Sequence, residues 1–226
     1  MLDDMQHQKN TAIIVAAGSG SRLGSTTPKQ FLKLLGQEIL SYSVNSFLDH
    51  PQIDAVVIVT SQNFLDHVAG QYPQCKVVLG GETRQDSVFN GVQACSPDTS
   101  NVLVHDAARP LIPHSIITTC LSKLAIYEGV APAIEPSDSM VLLRGDEFSN
   151  LNRADLRIIQ TPQCFRIDTL RDAHASGNVD TDEIGLVKQS LPGARLGFVP
   201  GAPETMKVTS QMDLTIIERY LPKKEK

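Results

Sequence analysis

A glycine-rich loop followed by two cations has the residue types needed to bind and activate a phosphate chain. The segment Ala16–Gly24 is built of small residues, so its backbone N–H groups can approach phosphate oxygens. Arg22 lies in this loop, and Lys29 follows in Pro28-Lys29-Gln30. Two such cations suit a reaction in which negative charge develops on phosphorus and its leaving group. From the loop alone, a tight strand-to-helix turn is an equally good interpretation.

The loop matches neither of two common phosphate-binding fingerprints. Ser21-Arg22 stands where a P-loop requires Gly-Lys, and Leu23 takes the third glycine position of a dinucleotide fingerprint. An NAD-dependent dehydrogenase would also need an acidic residue at the end of the second strand, where this chain has Thr60-Ser61-Gln62. A dehydrogenase is therefore the weaker alternative.

A carboxylate, Asp106, directly follows the apolar run Val102–His105. A carboxylate at the carboxyl end of a strand can hold Mg²⁺, which offsets the charge of phosphate oxygens. The competing interpretation is a turn or cap aspartate paired with Arg109. Beside a phosphate-binding loop the metal interpretation is favoured, with Glu204 as a weaker second acid. His105 is interpreted as structural.

The elements that must position these residues follow from hydrophobic patterning. Apolar runs predict buried strands at Thr11–Ala16, Ala55–Thr60, Lys76–Leu79, Val102–His105 and Val130–Ile134. Helical patterns lie between and after them, at Ile39–Leu48, Gln62–Gly70, Arg84–Cys95 and His114–Tyr127. The alternation predicts one α/β domain over residues 1–226, a Rossmann-like and mostly parallel sheet with helices on both faces. Ligands of such sheets bind at the carboxyl ends of the strands.

Residues 137–159 interrupt this alternation and predict an inserted β-arm. Met140–Leu143 and Arg157–Ile159 are strand-like, and Arg144–Asn150 is turn-like. An arm that leaves a domain must bury its apolar face elsewhere, so we expect it to mediate a homodimer. Beyond the arm the chain returns to α/β character, with segments at Thr169–Ala175, Asp182–Gln189, Arg195–Val199, Lys207–Thr209 and Gln211–Tyr220.

Composition excludes several function classes. Apolar residues make up 41% and charged residues 20% of the 226 residues, as in ordinary globular proteins, and the net charge of −5 predicts no nucleic-acid partner. The spacing of the four cysteines suits neither zinc nor a disulfide framework, which predicts reduced thiols in a cytoplasmic protein. Met1–Asn10 does not resemble a signal peptide, and no segment predicts a membrane span.

Five motifs in order resemble the 2-C-methyl-D-erythritol 4-phosphate cytidylyltransferase family of sugar-phosphate nucleotidyltransferases. The resemblance covers about Thr11 to Tyr220 and rests on Ala16–Gly24 with Pro28–Phe31, Gly80–Val88, Val104–Pro110, Gln160–Gln163 and Lys207–Thr209. It implies transfer of CMP from CTP to a polyol phosphate, with release of pyrophosphate, in the non-mevalonate isoprenoid pathway. It also implies a divalent cation, Mg²⁺, and active sites that the two arms of a homodimer share.

The resemblance further implies a role for each matching residue. Arg22 and Lys29 would stabilise the transition state at the α-phosphorus, and Arg153 and Lys207 would be catalytic by orienting the acceptor. Asp106 would bind the metal. The nucleotide would be bound by Ala16, Ala17, Gly18, Ser19, Gly20, Gly81, Glu82, Arg84, Ser87, Asp106 and Ala107. The acceptor would be bound by Arg109, Ser139, Arg153, Thr181 and Lys207.

Two alternatives to this activity stay open. A sister activity on ribitol 5-phosphate would use the same fold and nucleotide motifs, although Asp106–Pro110 leans toward the erythritol acceptor. A binding module without catalysis is opposed by the presence of the four expected cations Arg22, Lys29, Arg153 and Lys207.

Overall fold

The computed structural model describes residues 8–18 and 27–221. Its strands are β1 Lys9–Ala16, β2 Lys33–Leu34, β3 Gln37–Glu38, β4 Ala55–Thr60, β5 Lys76–Leu79, β6 Thr99–Asp106, β7 Gly129–Ile134, β8 Met140–Arg144, β9 Glu147–Leu151, β10 Ile158–Ile159, β11 Gln163–Arg166 and β12 Leu196–Pro200. Its α-helices are α1 Ile39–Leu48, α2 Leu65–Gln71, α3 Arg84–Ala94, α4 His114–Lys123, α5 Ile167–Ala175, α6 Glu183–Ser190 and α7 Gln211–Tyr220. None of the helices in these two ranges has the length and hydrophobicity needed to cross a bilayer.

The central sheet has eight strands in the order β10-β7-β11-β6-β1-β4-β5, with β12 pairing on β7. The pairs of β1 with β4 and β6, of β4 with β5, and of β7 with β12 are parallel. β11 runs antiparallel to both β6 and β7, and β10 antiparallel to β7, so the sheet is mixed. The predicted α/β fold is confirmed, but the strand β11 was not predicted.

Two hydrophobic cores cover the two faces of the sheet. Along β1, Ala12 and Ile14 pack into a core with α1 and α4, while Ile13 packs into a core with α3 and α5. Successive side chains of a strand point to opposite faces, so a strand buried on both faces needs a continuous apolar run. Burying an isoleucine side chain stabilises the fold by about 1.5–3 kcal/mol.

The helices lie close to their predicted bounds, with two differences. α2 begins at Leu65 rather than Gln62, because Gln62–Phe64 forms a 3-10 turn. α3 begins with a capping box in which Thr83 and Asp86 satisfy each other's backbone N–H groups, and such a cap is worth about 1 kcal/mol. α4 ends at Lys123, short of the predicted Tyr127. There the N–H groups of Ile126 and Tyr127 both donate to the Lys123 carbonyl and close a turn.

The arm is shorter and more regular than predicted. β8 and β9 form a two-stranded hairpin whose turn is Gly145-Asp146, with Gly145 at a φ of 64° that favours glycine. Most of the segment predicted as a turn is therefore the strand β9. The final predicted strand of the arm is instead β10, which pairs with β7 in the central sheet. The structure thus limits the arm to β8 and β9.

Candidate active site

A cleft of about 470 Å³ opens at the carboxyl ends of β1 and β6, next to the first turn of α3. This is the edge of the sheet at which the sequence predicted a ligand site. The cleft brings together eleven of the predicted site residues: Ala16, Ala17, Gly18, Lys29, Gly81, Glu82, Arg84, Ser87, Asp106, Ala107 and Lys207. Ser19, Gly20 and Arg22 lie outside the described residues.

The start of the glycine-rich loop is held by a side chain that the sequence reasoning gave no role. Gln30 is 3% exposed, and its amide Nε2 donates to the carbonyls of Ala16 at 2.6 Å and Gly18 at 2.8 Å. One buried amide thereby fixes the backbone at two points where the loop begins. The motif Pro28-Lys29-Gln30 was the available signal, but a buried side-chain contact cannot be recognised from the motif itself.

The second wall of the cleft is the turn between β5 and α3. A Cβ on Gly80 would lie 2.4 Å from Cβ of Ala17, so only glycine allows this turn to approach the loop after β1. The Ser87 hydroxyl donates to the Thr83 carbonyl at 2.9 Å and accepts from the Gly81 N–H at 3.1 Å. Ser87, predicted to meet the nucleotide, thus also holds the turn in place.

Asp106 is the electrostatic centre of the cleft. Its Oδ1 accepts from Arg84 Nε at 3.1 Å, its Oδ2 accepts from Lys207 Nζ at 2.7 Å, and Arg109 Nε lies 3.7 Å from Oδ2. Burial opposes the charge on Asp106, but Arg84, Lys207 and Arg109 outweigh it and hold the pKa of this carboxyl well below its usual range. Asp106 is therefore ionised under all ordinary conditions.

Arg84 joins Asp106 to a second carboxylate. Its Nη1 donates to both oxygens of Glu183, at 2.8 and 2.9 Å, and Glu183 is 1% exposed. Burial works against the charge on Arg84, yet the two carboxylates raise the pKa of Arg84 above its ordinary value. The sequence around Glu183 indicates only the start of a helix, so no role was predicted for this side chain. α6 does begin at Glu183, with Asp182 as its cap.

A buried chain of hydrogen bonds lies behind Asp106. Thr161 Oγ1 accepts from the Asp106 N–H at 3.2 Å and lies 3.0 Å from His105 Nδ1, and His105 Nε2 lies 3.0 Å from the Arg109 carbonyl. That carbonyl can only accept, so His105 donates from Nε2 and accepts the Thr161 hydroxyl at Nδ1. Burial lowers the pKa of His105 to about 4, so the ring is neutral and structural.

The last motif contributes to the cleft from the far end of the chain. Lys29 Nζ donates to the carbonyl of Val208 at 2.8 Å, and the Val208 N–H donates to the Ala108 carbonyl at 2.8 Å. These bonds fix Lys207 beside Lys29 in the cleft wall. Two ammonium groups from distant motifs therefore face one cavity.

Four residues predicted for the acceptor do not line the cleft within the described part of this chain. Ser139 and Arg153 are exposed near the arm, where Arg153 Nη1 donates to the Ser137 carbonyl at 2.7 Å. Thr181 is exposed beside Asp180. Arg109 lies behind Asp106 and donates to the Thr205 carbonyl at 2.9 Å. Their acceptor roles stay predictions.

The described residues contain no group of three metal-binding side chains. Asp106 has the position predicted for a metal ligand, but both of its oxygens are paired with cations. Glu204, the weaker second acid, lies in a separate surface groove beside Pro110 and Tyr220. A cation could join Asp106 only together with further oxygens from a ligand, as Mg²⁺ does when it binds with phosphates.

Comparison with known proteins identifies relatives over nearly the whole chain. Residues 10–223 match the family model described as "IspD: 2-C-methyl-D-erythritol 4-phosphate cytidylyltransferase". A 2-C-methyl-D-erythritol 4-phosphate cytidylyltransferase of Clostridium botulinum (strain Langeland) is 35% identical over 95% of this chain and 98% of its own.

Two further comparisons concern the acceptor and the fold. The bifunctional ribulose 5-phosphate reductase/CDP-ribitol pyrophosphorylase Bcs1 of Haemophilus influenzae is 34% identical, over 95% of this chain and 48% of its own. The crystal structure of 4-diphosphocytidyl-2C-methyl-D-erythritol synthase from Anaerococcus prevotii superposes with a TM-score of 0.86. It is 23% identical and covers 96% of this chain and 97% of its own, so it supports the fold.

Proposed function

The chain belongs to the 2-C-methyl-D-erythritol 4-phosphate cytidylyltransferase family, and from this membership we propose that the cleft around Asp106 is where its reaction takes place. The enzyme is a nucleotidyltransferase that transfers the cytidylyl group of CTP to 2-C-methyl-D-erythritol 4-phosphate. The observation that carries the location is the meeting of the Ala16–Gly18 backbone, Lys29 and Lys207 in one cavity. We place the reaction in the cytoplasm, where buried thiols such as Cys164 would stay reduced.

The geometry suits an in-line displacement at the α-phosphorus of CTP. A phosphate oxygen of the acceptor forms the new bond to phosphorus, and the bond to the β-phosphate oxygen breaks to release pyrophosphate. The acceptor phosphate is already ionised at neutral pH, so no general base is required. Lys29, beside the loop after β1, would stabilise the charge that builds in the transition state, and Lys207 would orient the acceptor.

The donor set fits a divalent cation that arrives with the nucleotide. Mg²⁺ is commonly held by one or two carboxylates together with substrate phosphates. Asp106 would supply the carboxylate, because its two oxygens offer more acceptor positions than the ion pairs with Arg84 and Lys207 occupy. The bound ion would offset phosphate charge in the cleft.

The nucleotide preference is tested by pyrophosphate release with CTP, UTP, ATP and GTP. We expect a strong preference for CTP, because the chain belongs to a cytidylyltransferase family and the turn that carries Gly81 and Ser87 lines the cleft. Equal turnover with ATP would contradict this assignment.

The acceptor is tested in the same assay with two polyol phosphates. 2-C-Methyl-D-erythritol 4-phosphate is the expected acceptor. The relative named as a CDP-ribitol pyrophosphorylase makes ribitol 5-phosphate the second candidate. A higher kcat/KM with ribitol 5-phosphate would assign the sister activity to the same cleft.

The arm supports a homodimer with shared active sites. Within the described residues, β8 and β9 pair only with each other, and Leu143 and Phe148 are 68% and 67% exposed. A two-stranded hairpin is at best marginally stable alone, so these side chains need a surface to pack on. A second copy of the chain would provide it and would bring Arg153 to the neighbouring cleft.

Complementation tests the shared site. Arg153→Ala and Lys29→Ala dimers should each be nearly inactive. Subunit exchange should create heterodimers in which one of the two sites has both wild-type residues, about a quarter of all sites for random mixing. Those sites should recover activity. Absence of recovery in verified heterodimers would show that Arg153 acts in its own subunit or has no acceptor role.

A further inference from the structure

The first turn of α6 holds a buried carboxylate, Glu183, that has no part in the bond-forming step proposed above. Glu183 accepts twice from Arg84 Nη1. The backbone N–H groups of Glu183 and Ile184 both donate to Gln163 Oε1, at 3.0 Å each. Gln163 belongs to β11 in the middle of the sheet. The central sheet therefore fixes the position of Glu183.

Arg84 makes contacts through two different edges of its guanidinium group. Nη1 is taken by Glu183, and Nε donates to Oδ1 of Asp106. The other Asp106 oxygen, Oδ2, accepts from Lys207. Arginine and carboxylate groups favour paired, bidentate contacts. An Arg84 released from Glu183 could turn, take both oxygens of Asp106 and displace Lys207.

We propose that Glu183 is a positioning residue for the transfer reaction, which restrains Arg84 to Oδ1 of Asp106 and so keeps Oδ2 available to Lys207. The inference rests on the proposed function, in which Lys207 orients the acceptor phosphate. The fold alone does not explain this arrangement, because buried ion pairs can often be replaced by apolar residues without loss of stability. The carboxylate instead serves the geometry of the cleft.

Glu183→Gln tests the proposal with little change in side-chain size. The amide removes the charge that holds Arg84. We expect kcat/KM for the polyol phosphate to fall roughly 10- to 100-fold, the scale of a displaced positioning group. CTP affinity measured by calorimetry should change much less, and thermal unfolding should stay cooperative. Wild-type kcat/KM for the acceptor in a folded Glu183→Gln variant would overturn the proposal.

A matched control and a double-mutant cycle separate positioning from damage to α6. Asp182→Ala removes the helix cap, while Gln163 still holds Glu183. This variant should melt earlier and keep wild-type kcat/KM. In an Arg84→Met background, adding Glu183→Gln should lower activity no further, because Glu183 acts through Arg84. Fold-changes that multiply would overturn the proposal.

These experiments distinguish failure of the proposed function from failure of the proposed role of Glu183. The double variant Arg84→Met/Glu183→Gln leaves no unpaired buried charge, so it gives a reading even if Glu183→Gln alone folds poorly. A wild-type enzyme that releases no pyrophosphate from CTP with either acceptor would overturn the proposed function. An active wild type with an unaffected Glu183→Gln variant would overturn only the role of Glu183.

Discussion

Replacing Gln30 by methionine tests whether a preorganised loop binds the nucleotide. The substitution keeps the length of a buried side chain and removes its two donors to the Ala16 and Gly18 carbonyls. A hydrogen bond contributes about 0.5–1.5 kcal/mol net, so the pair stabilises this loop by about 1–3 kcal/mol. If the binding conformation loses that much, its population falls and the apparent Kd for CTP rises about 5- to 150-fold.

Calorimetry measures the CTP affinity of the Gln30→Met variant, and thermal unfolding measures its loss of stability. Tyr42→Phe is the matched control, since it removes one buried hydrogen bond, from the Tyr42 hydroxyl to the Leu34 carbonyl at 2.6 Å, and Tyr42 does not line the cleft. The control should lower the melting temperature and leave CTP affinity unchanged. Wild-type CTP affinity in Gln30→Met would refute the view that this amide organises the loop.

Three further predictions concern charge and protonation. Lys29→Ala should raise the activation free energy by ~3–4 kcal/mol and so lower kcat several hundredfold, with little change in CTP affinity. A raised KM at unchanged kcat would contradict this. Since burial lowers the pKa of His105 from 6.5 to about 4, the unfolded chain binds its proton first as pH falls. The free energy of unfolding should therefore decrease as the pH falls from about 6.5 to 4. Urea unfolding should show a decrease that is about 3 kcal/mol larger in wild type than in His105→Gln. Burial raises the pKa of Cys95 to about 11, so iodoacetamide at neutral pH should label it slowly in the native protein and rapidly in urea, as mass spectrometry would detect.

The sequence predicts β1, β4 and β6 because each contains an apolar run that is buried on both faces of the sheet. The run at Thr11–Ala16 falls within β1, and the run at Ala55–Thr60 coincides with β4. β11 has only four residues and carries a glutamine and an arginine, so hydrophobic patterning does not reveal it. β9 was not predicted, because the turn residues Gly145 and Asp146 led to a longer predicted turn. The observed turn has only these two residues.

The cleft was predictable to the extent that its residues follow strands. Asp106 ends β6, and the loop of Ala17 follows β1, so their meeting follows from the edge rule for parallel strands. Glu183 was not predictable, because it meets Arg84 across 99 positions of sequence. That meeting depends on β11, whose Gln163 holds the start of α6, and hydrophobic patterning does not reveal this strand.

The cations around Asp106 suit the two anionic substrates that we propose for this cleft, although the protein as a whole is acidic. Like charges repel each other, so Arg84 and Lys207 would not lie beside one another without a carboxylate between them. Each binds a different oxygen of Asp106, and Glu183 binds the far edge of Arg84. The two carboxylates thereby concentrate cations where phosphates must meet. If Arg84 contacts the nucleotide and Lys207 the acceptor, as proposed above, Asp106 would couple the placement of both substrates.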